Sequence, residues 1–184
     1  MAMVQGEPFL GLDVASTSVL FLAILTVHVA AAFVAIVSGV VAMAAHKGPG
    51  RHSRAGRWYL IGILVVFATA CALAAFRWPA DLPLVLVGGI GAASAAYGFV
   101  FRRLHRPGDI PHILAMGISY IATFTAFYVD NGPHLPVWNL LPPPTFWVIP
   151  AIVGAPILVR AIWKRRHPHH RRPTPEDRVQ PERP

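Results

Sequence analysis

Charge and cysteine are both scarce in this sequence. Only 13% of the 184 residues are Asp, Glu, Lys or Arg, whereas 55% are hydrophobic and the mean hydropathy is +0.53. A soluble domain usually carries roughly 25% charged residues, so this composition argues against a soluble protein. The single cysteine, Cys71, excludes a disulfide within the chain and a cysteine-based metal cluster. The sequence therefore predicts one compact membrane domain, with Cys71 as a packing residue.

Basic residues are missing from the start of the chain, and nucleotide-binding motifs are missing throughout. The first basic residue is Lys47, so the basic segment that normally precedes a signal-peptide core is not there. The first apolar run, Val19–Ala45, is also too long for such a core and is predicted to be a mature helix. No Walker loop, dinucleotide glycine motif, HExxH or GxSxG element occurs, so soluble-type nucleotide chemistry is unsupported.

Long apolar runs are what the sequence does contain. A helix needs about 20 residues to cross a hydrocarbon core of ~30 Å, and in lipid a helix satisfies its backbone polar groups internally. Five runs qualify: Val19–Ala45, Trp58–Phe76, Leu82–Phe101, Ile110–Val129 and Thr145–Ile162. They predict an all-α, polytopic transmembrane bundle over residues 18–163. An external segment, 1–17, precedes the bundle, and a disordered basic cytoplasmic tail, 164–184, follows it.

Positive charge is distributed unequally between the two ends of the predicted helices. The first connection, the third connection and the tail are rich in Lys and Arg, whereas Arg77 is the only such residue in the other two connections. Because cytoplasmic segments carry an excess of Lys and Arg, the amino terminus is predicted to lie outside the cell membrane and the carboxyl terminus in the cytoplasm. The net charge of +8 therefore indicates topology and contact with anionic lipid headgroups, not nucleic-acid binding.

One strongly ionisable residue, His28, lies deep in a predicted span, roughly 13 Å inside the first helix. Such a side chain is costly in lipid and tends to face the bundle interior. It is either a neutral histidine satisfied by one hydroxyl group or a proton-relay, quinone or cofactor contact. Residues of other spans at similar depth are predicted to form a hydrogen-bonded polar layer around His28; they are Ser94, Tyr97, Tyr120 and Thr123, with Thr69 as a further candidate.

A second group of histidines lies at the predicted cytoplasmic side. His52 lies at the start of the second helix and His112 opens the fourth, so the two are expected at similar depth on different helices. Bis-imidazole ligation of haem b requires such a pair, and together with His46 it would also suit a transition metal. His28 is predicted to line an internal polar part of the same cofactor site. The alternative is that these histidines, which stand beside arginines, serve only solvation and lipid headgroups.

The third span carries small residues at helical spacing. Gly88, Ala92 and Ala96 share one face, with Gly91 and Ala95 beside it, which predicts a tightly packed central helix. Three functions stay open at this point. The chain could bind one haem or metal ion with a redox role, transport a small solute with His28 as the proton site, or act as a non-catalytic assembly subunit. Contact with a membrane-protein partner or a second copy would use the small-residue face.

Two stretches of sequence carry a family resemblance. One contains His28-Val29-Ala30-Ala31, Ser38-Gly39 and the segment from His46-Lys47-Gly48 to Trp58-Tyr59; the other runs from His112 through Met116-Gly117-Ile118-Ser119-Tyr120 to Asp130-Asn131-Gly132-Pro133 and Trp138. Over roughly residues 18–162 the chain resembles the uncharacterised bacterial membrane family called domain of unknown function 2306. The resemblance implies a small multi-helix membrane fold and no established activity. The entry to the second helix is also loosely similar to b-type cytochromes of the b561 kind, although their second histidine pair is missing here.

Overall fold

The computed structural model describes residues 19–48, 50–136 and 138–167, and within these ranges it contains helices and no strand. The five α-helices are α1 (Val19–Ala44), α2 (Arg51–Phe76), α3 (Leu82–Arg103), α4 (Ile110–Asn131) and α5 (Thr145–Arg166). Each is long and apolar enough to cross a membrane. The prediction of an all-helical fold with five candidate spans is therefore confirmed. The predicted external segment 1–17 and the tail from residue 168 onward lie outside the described residues.

Helices α2 and α5 extend furthest into polar sequence beyond the predicted apolar runs. α2 begins at Arg51, well before the predicted Trp58, and α5 continues to Arg166, past the predicted boundary at residue 163. Arg and Lys can occupy such helix ends because their apolar stems lie along the helix while their charges reach water. The first residues of the predicted tail thus belong to α5. At α2, the extra turns make His52 a helical residue.

Two connections place the starts of α2 and α4 at the same end of the bundle. They are residues 45–50 and residues 104–109, and we call this end, together with the last turn of α5, the basic end. Gly50 has φ +109° and Gly108 has φ +85°, a left-handed backbone that favours glycine. Pro111 is tolerated in the first turn of α4 because the N–H groups there have no helical acceptor.

Helices α1 to α4 surround a common core, and α5 packs against α4. The contacts run in order from α1 to α2, α3 and α4, and the phenol of Tyr120 on α4 closes the ring by donating a 3.0 Å hydrogen bond to the carbonyl of Ile36 on α1. The core residues are Ala35, Tyr59, Ile63, Ala92 and Ala95. In this arrangement α2 and α4 are diagonal neighbours, and both run away from the basic end.

Small residues allow the close helix contacts, as the sequence predicted for α3. A Cβ built on Gly98 would lie 3.1 Å from the Cβ of Ala115, and one built on Gly91 would lie 3.5 Å from that of Ala122. The buried positions of α3 are Gly91, Ala92, Ala95 and Gly98. The packed stripe therefore runs through Gly91 and Ala95, beside the predicted stripe of Gly88 and Ala96, which are half-buried.

Large apolar side chains cover the outside of the bundle. Phe33 is 70% exposed and Ile152 is 66% exposed, and many Val, Leu and Ile residues resemble them. Exposure of this extent would be unfavourable in water, because burial of such side chains is worth about 1.5–3 kcal/mol each. An outer apolar surface on five long helices is the arrangement expected of a multi-pass membrane protein.

Candidate functional site

Two imidazoles meet at the basic end of the bundle. His52 lies in the first turn of α2 and His112 in the first turn of α4, and their ring centres are 6.3 Å apart with the ring planes at 81°. Both residues are half-buried. The expectation that these two histidines lie level with one another on different helices agrees with this geometry.

Each imidazole is oriented by a backbone carbonyl. Nδ1 of His52 is 2.8 Å from the carbonyl oxygen of Ala42 on α1, and Nδ1 of His112 is 2.8 Å from that of Gly98 on α3. A carbonyl oxygen only accepts, so each Nδ1–H donates the bond. In the neutral ring this leaves Nε2 without a proton and with a free lone pair. The same second-sphere contact orients histidines that bind metals through Nε2.

His46, predicted as a third ligand, is not part of this pair. It is exposed in the connection between α1 and α2. The following residue, Lys47, bends back to donate hydrogen bonds to the carbonyls of Ala42 and Met43, at 3.4 and 3.3 Å. Across the described ranges, no three residues among His, Cys, Asp and Glu are grouped closely enough to hold a metal ion. The predicted metal site of His46, His52 and His112 is therefore not assembled.

His28 is also separate from the pair. Its Nδ1 is 2.9 Å from Oγ1 of Thr69, whose hydroxyl donates to the carbonyls of Val65 and Val66. Thr69 is seventeen residues beyond His52 on α2, which corresponds to roughly 25 Å along the helix axis. His28 therefore cannot join a ligand set with His52 and His112, and its predicted role in the cofactor site is corrected. The structure places it with one hydroxyl partner, the simpler of the two interpretations.

The predicted polar layer does not surround His28 either. Among the hydrogen bonds of the described residues, Thr69 is the one polar side chain that reaches it. Tyr120 bonds to the carbonyl of Ile36 and Thr123 to that of Ser119. Tyr97 is 57% exposed and packs on Phe101; Ser94 is half-buried. Similar depth alone did not predict the contacts because the direction of each side chain around its helix decides which residues meet.

A buried hydroxyl cluster lies instead two turns below the histidine pair. The hydroxyls of Tyr59 on α2 and Ser119 on α4 are 2.8 Å apart, and both side chains are almost fully buried. Thr123 interacts with the same phenol, and the ring of Tyr120 lies 5.9 Å from that of Tyr59. The sequence analysis missed this cluster because depth along the bundle does not show which side chains face one another. The signal that could have indicated it is the seven-residue spacing from His52 to Tyr59 and from His112 to Ser119.

The electrostatics of the basic end are dominated by cations, with one acidic residue among them. Asp109 pairs with Arg102 at 2.9 Å and with Arg165 at 3.2 Å, and so connects the ends of α3 and α5 beside the start of α4. Burial, reinforced by the charge of Arg165, lowers the pKa of Lys47. The described residues of the basic end therefore carry more positive than negative charge.

At the other end of the bundle one arginine holds two carboxylates. Arg77 lies 3.6 Å from Asp81 and 3.7 Å from Asp130. Burial raises the pKa of the Asp81 carboxyl; the Arg77 guanidinium opposes this rise and the Asp130 carboxylate reinforces it. The group links the turn between α2 and α3 to the end of α4.

Comparison with known proteins adds no relative: no family model, no curated protein and no solved structure matches the chain. The five long apolar helices and their exposed apolar surface indicate a multi-pass helical membrane protein.

Proposed function

We propose that this protein binds one haem b at the basic end, with Nε2 of His52 and Nε2 of His112 as the axial ligands. The observation that supports the proposal is the pair itself, two imidazoles on diagonal helices with both Nδ1 atoms engaged by carbonyls. Both rings present the same free nitrogen. The loose similarity of this region to b-type cytochromes agrees with the proposal.

The separation of the two rings suits a shared iron atom. Imidazole nitrogen binds a metal at about 2 Å and the ring centre lies about 1 Å beyond the nitrogen, so two axial imidazoles have their ring centres roughly 6 Å apart. The observed distance between the ring centres of His52 and His112 is 6.3 Å.

The number of ligands favours haem over a bare metal ion. Zinc requires four ligands and its sites use at least three protein side chains, whereas the described residues group only two imidazoles here. A porphyrin would supply four nitrogen ligands itself, so two histidines would be enough to complete the coordination of the iron. Gly56, one turn after His52, has open space beside it, since a Cβ there would meet no atom within 4 Å. The exposed Arg51, in the first turn of α2, is available for a haem propionate.

A haem held in this way would supply one-electron transfer. The protein residues would hold both axial positions, which leaves no open position for oxygen or substrate, and the carbonyls of Ala42 and Gly98 would fix the ring orientations. The proposal includes the orientation that the Lys and Arg distribution favours, with the basic end in the cytoplasm and the amino terminus outside. The proposed role is therefore electron transfer near the cytoplasmic surface of the membrane.

The test is an optical spectrum of the full-length protein, expressed with a haem precursor and purified in detergent. We expect a Soret band, about one haem per chain, and its loss in His52→Ala and in His112→Ala. His46→Ala is the matched control, an exposed histidine in the same region, and should keep the band. Elemental analysis on the same sample separates the alternatives. A stoichiometric metal with no Soret band would replace haem with a metal ion. The absence of both the Soret band and a stoichiometric metal would disprove the proposal.

A further inference from the structure

An apolar groove runs along the outside of the bundle between α1 and α2. Its volume is about 280 Å³, and it is lined from α1 by Val27, Ala30 and Val34 and from α2 by Trp58, Ile61 and Val65. It exists because the two helices meet through small residues. A Cβ on Gly62 would lie 3.0 Å from the Cβ of Ala35 and 3.2 Å from the carbonyl oxygen of Ala31. The larger side chains therefore stand as walls on either side of a close contact.

The groove has a positively charged head. One stripe of α2 begins with Arg54 and continues four, seven and eleven residues later with Trp58, Ile61 and Val65. Arg54 is exposed one turn closer to the basic end than Trp58, which is itself 54% exposed. Tryptophan prefers this level, between the hydrocarbon and the headgroups. The head of the groove thus combines a cation and an interfacial ring.

The charge of Arg54 is not neutralised within the described part of the protein. Arg102 and Arg165 share the carboxylate of Asp109, and Arg77 pairs with Asp81 and Asp130. Arg54 takes part in none of these ion pairs. An arginine at the headgroup level whose guanidinium is in no ion pair is suited to bind a phosphate group.

The groove covers about two-thirds of one leaflet. From Trp58 to Val65 the rise along α2 is roughly 10 Å, and one leaflet of the hydrocarbon core is about 15 Å thick. An acyl chain that enters beside Trp58 would lie in the groove over this distance. The wall residues would contact the part of the chain nearest the headgroup.

We infer that this groove binds one anionic phospholipid of the leaflet at the basic end, with its phosphate on Arg54 and one acyl chain between α1 and α2. The site is independent of the proposed haem site, because Trp58 and His52 lie on different faces of α2. Either proposal can therefore fail without the other.

Native mass spectrometry of the full-length protein in detergent tests this site. The probes are phosphatidylglycerol and phosphatidylcholine with identical acyl chains. We expect phosphatidylglycerol to bind more tightly, and Arg54→Gln to weaken its binding about fivefold while binding of phosphatidylcholine is unchanged. Ala30→Trp, which fills the groove at an exposed position, should weaken binding of both lipids.

The matched control is Arg103→Gln, which removes an exposed arginine at the same end but on α3. It should leave binding of both lipids unchanged. Equal binding of the two lipids to the wild type would overturn the proposal. An equal loss in Arg54→Gln and Arg103→Gln would also overturn it, since the charges would then act diffusely, and so would unchanged binding in Ala30→Trp.

Discussion

Tyr59 and Ser119 are joined by a 2.8 Å hydrogen bond at the centre of the bundle, and each lies seven residues after a histidine of the pair on the same helix. Because α2 and α4 run in the same direction, they face one another through polar residues at two levels. The upper contact is between His52 and His112, and the lower contact is between Tyr59 and Ser119. The upper contact leaves nitrogen lone pairs free, whereas the lower one satisfies its own hydroxyl groups. We therefore expect the two levels to have different roles, with the upper one able to bind a ligand and the lower one joining the helices.

The lower contact should contribute measurably to stability. Tyr59→Phe and Ser119→Ala each remove the hydrogen bond, and such bonds between membrane helices are worth about 0.6 kcal/mol on average and up to about 1.7. We expect each variant to lower the free energy of unfolding in detergent by roughly this amount. The double variant should lose less than the sum, because the shared bond is removed only once. Strictly additive losses would show that the two hydroxyls do not stabilise one another.

Gly98 should be sensitive to enlargement, and Gly56 should not. Gly98→Ala would place a Cβ 3.1 Å from both the Cβ of Ala115 and the sulfur of Met116. Overpacking of this kind typically costs about 1–3 kcal/mol. It would also displace the carbonyl that orients His112, so we expect a lower haem content as well. Gly56→Ala meets open space and should raise helix stability by up to about 1 kcal/mol. Denaturant titration in detergent of both variants measures the difference, and an equal response would contradict the close contact between α3 and α4.

Asp81 should make stability fall as the pH rises through the acid range. Its pKa is raised in the folded protein, so the folded state binds more protons than the unfolded state between the ordinary aspartate pKa and the raised one. Stability is therefore highest below this window and declines through it. We expect Asp81→Asn to abolish this part of the pH dependence. Unfolding in detergent at a series of acid pH values measures it.

The control for Asp81 is Asp130→Asn. Asp130 is about half-exposed and acts on Asp81 only as a neighbouring charge, so its removal should reduce the decline without abolishing it. A stability that rises with pH in the same window, and does so equally in wild type and Asp81→Asn, would contradict the prediction.

Asp109 should have a small, salt-dependent effect. Its two ion pairs, with Arg102 and Arg165, are between one-third and one-half exposed, and exposed pairs contribute roughly 0.2–1 kcal/mol each. We expect Asp109→Asn to lower stability modestly at low ionic strength, and the difference from wild type to shrink in about 1 M salt. A loss that persists at high salt would show that Asp109 acts through packing instead of charge.

The sequence was sufficient for the number of helices and for the partnership of His52 and His112. Both follow from apolar length and from position along the chain, which place residues by depth. Depth did not predict which side chains face one another, so the layer around His28 was wrong and the contact of Tyr59 with Ser119 was missed. His46 failed as a ligand for a different reason. The hydrogen bonds of Lys47 to the carbonyls at the end of α1 set the path of the connection that carries His46. The pattern of apolar residues does not predict these bonds.

The carbonyl contacts of the two histidines divide the ring of four helices into matching hairpins. His52 bonds back to the preceding helix of the first hairpin and His112 to that of the second, across connections of equal length. Each half thus delivers one imidazole already aligned on its own backbone, in a pseudo-twofold arrangement about an axis along the bundle. The gap between the rings then reports directly on how the two hairpins dock, and any tilt of one half against the other changes it.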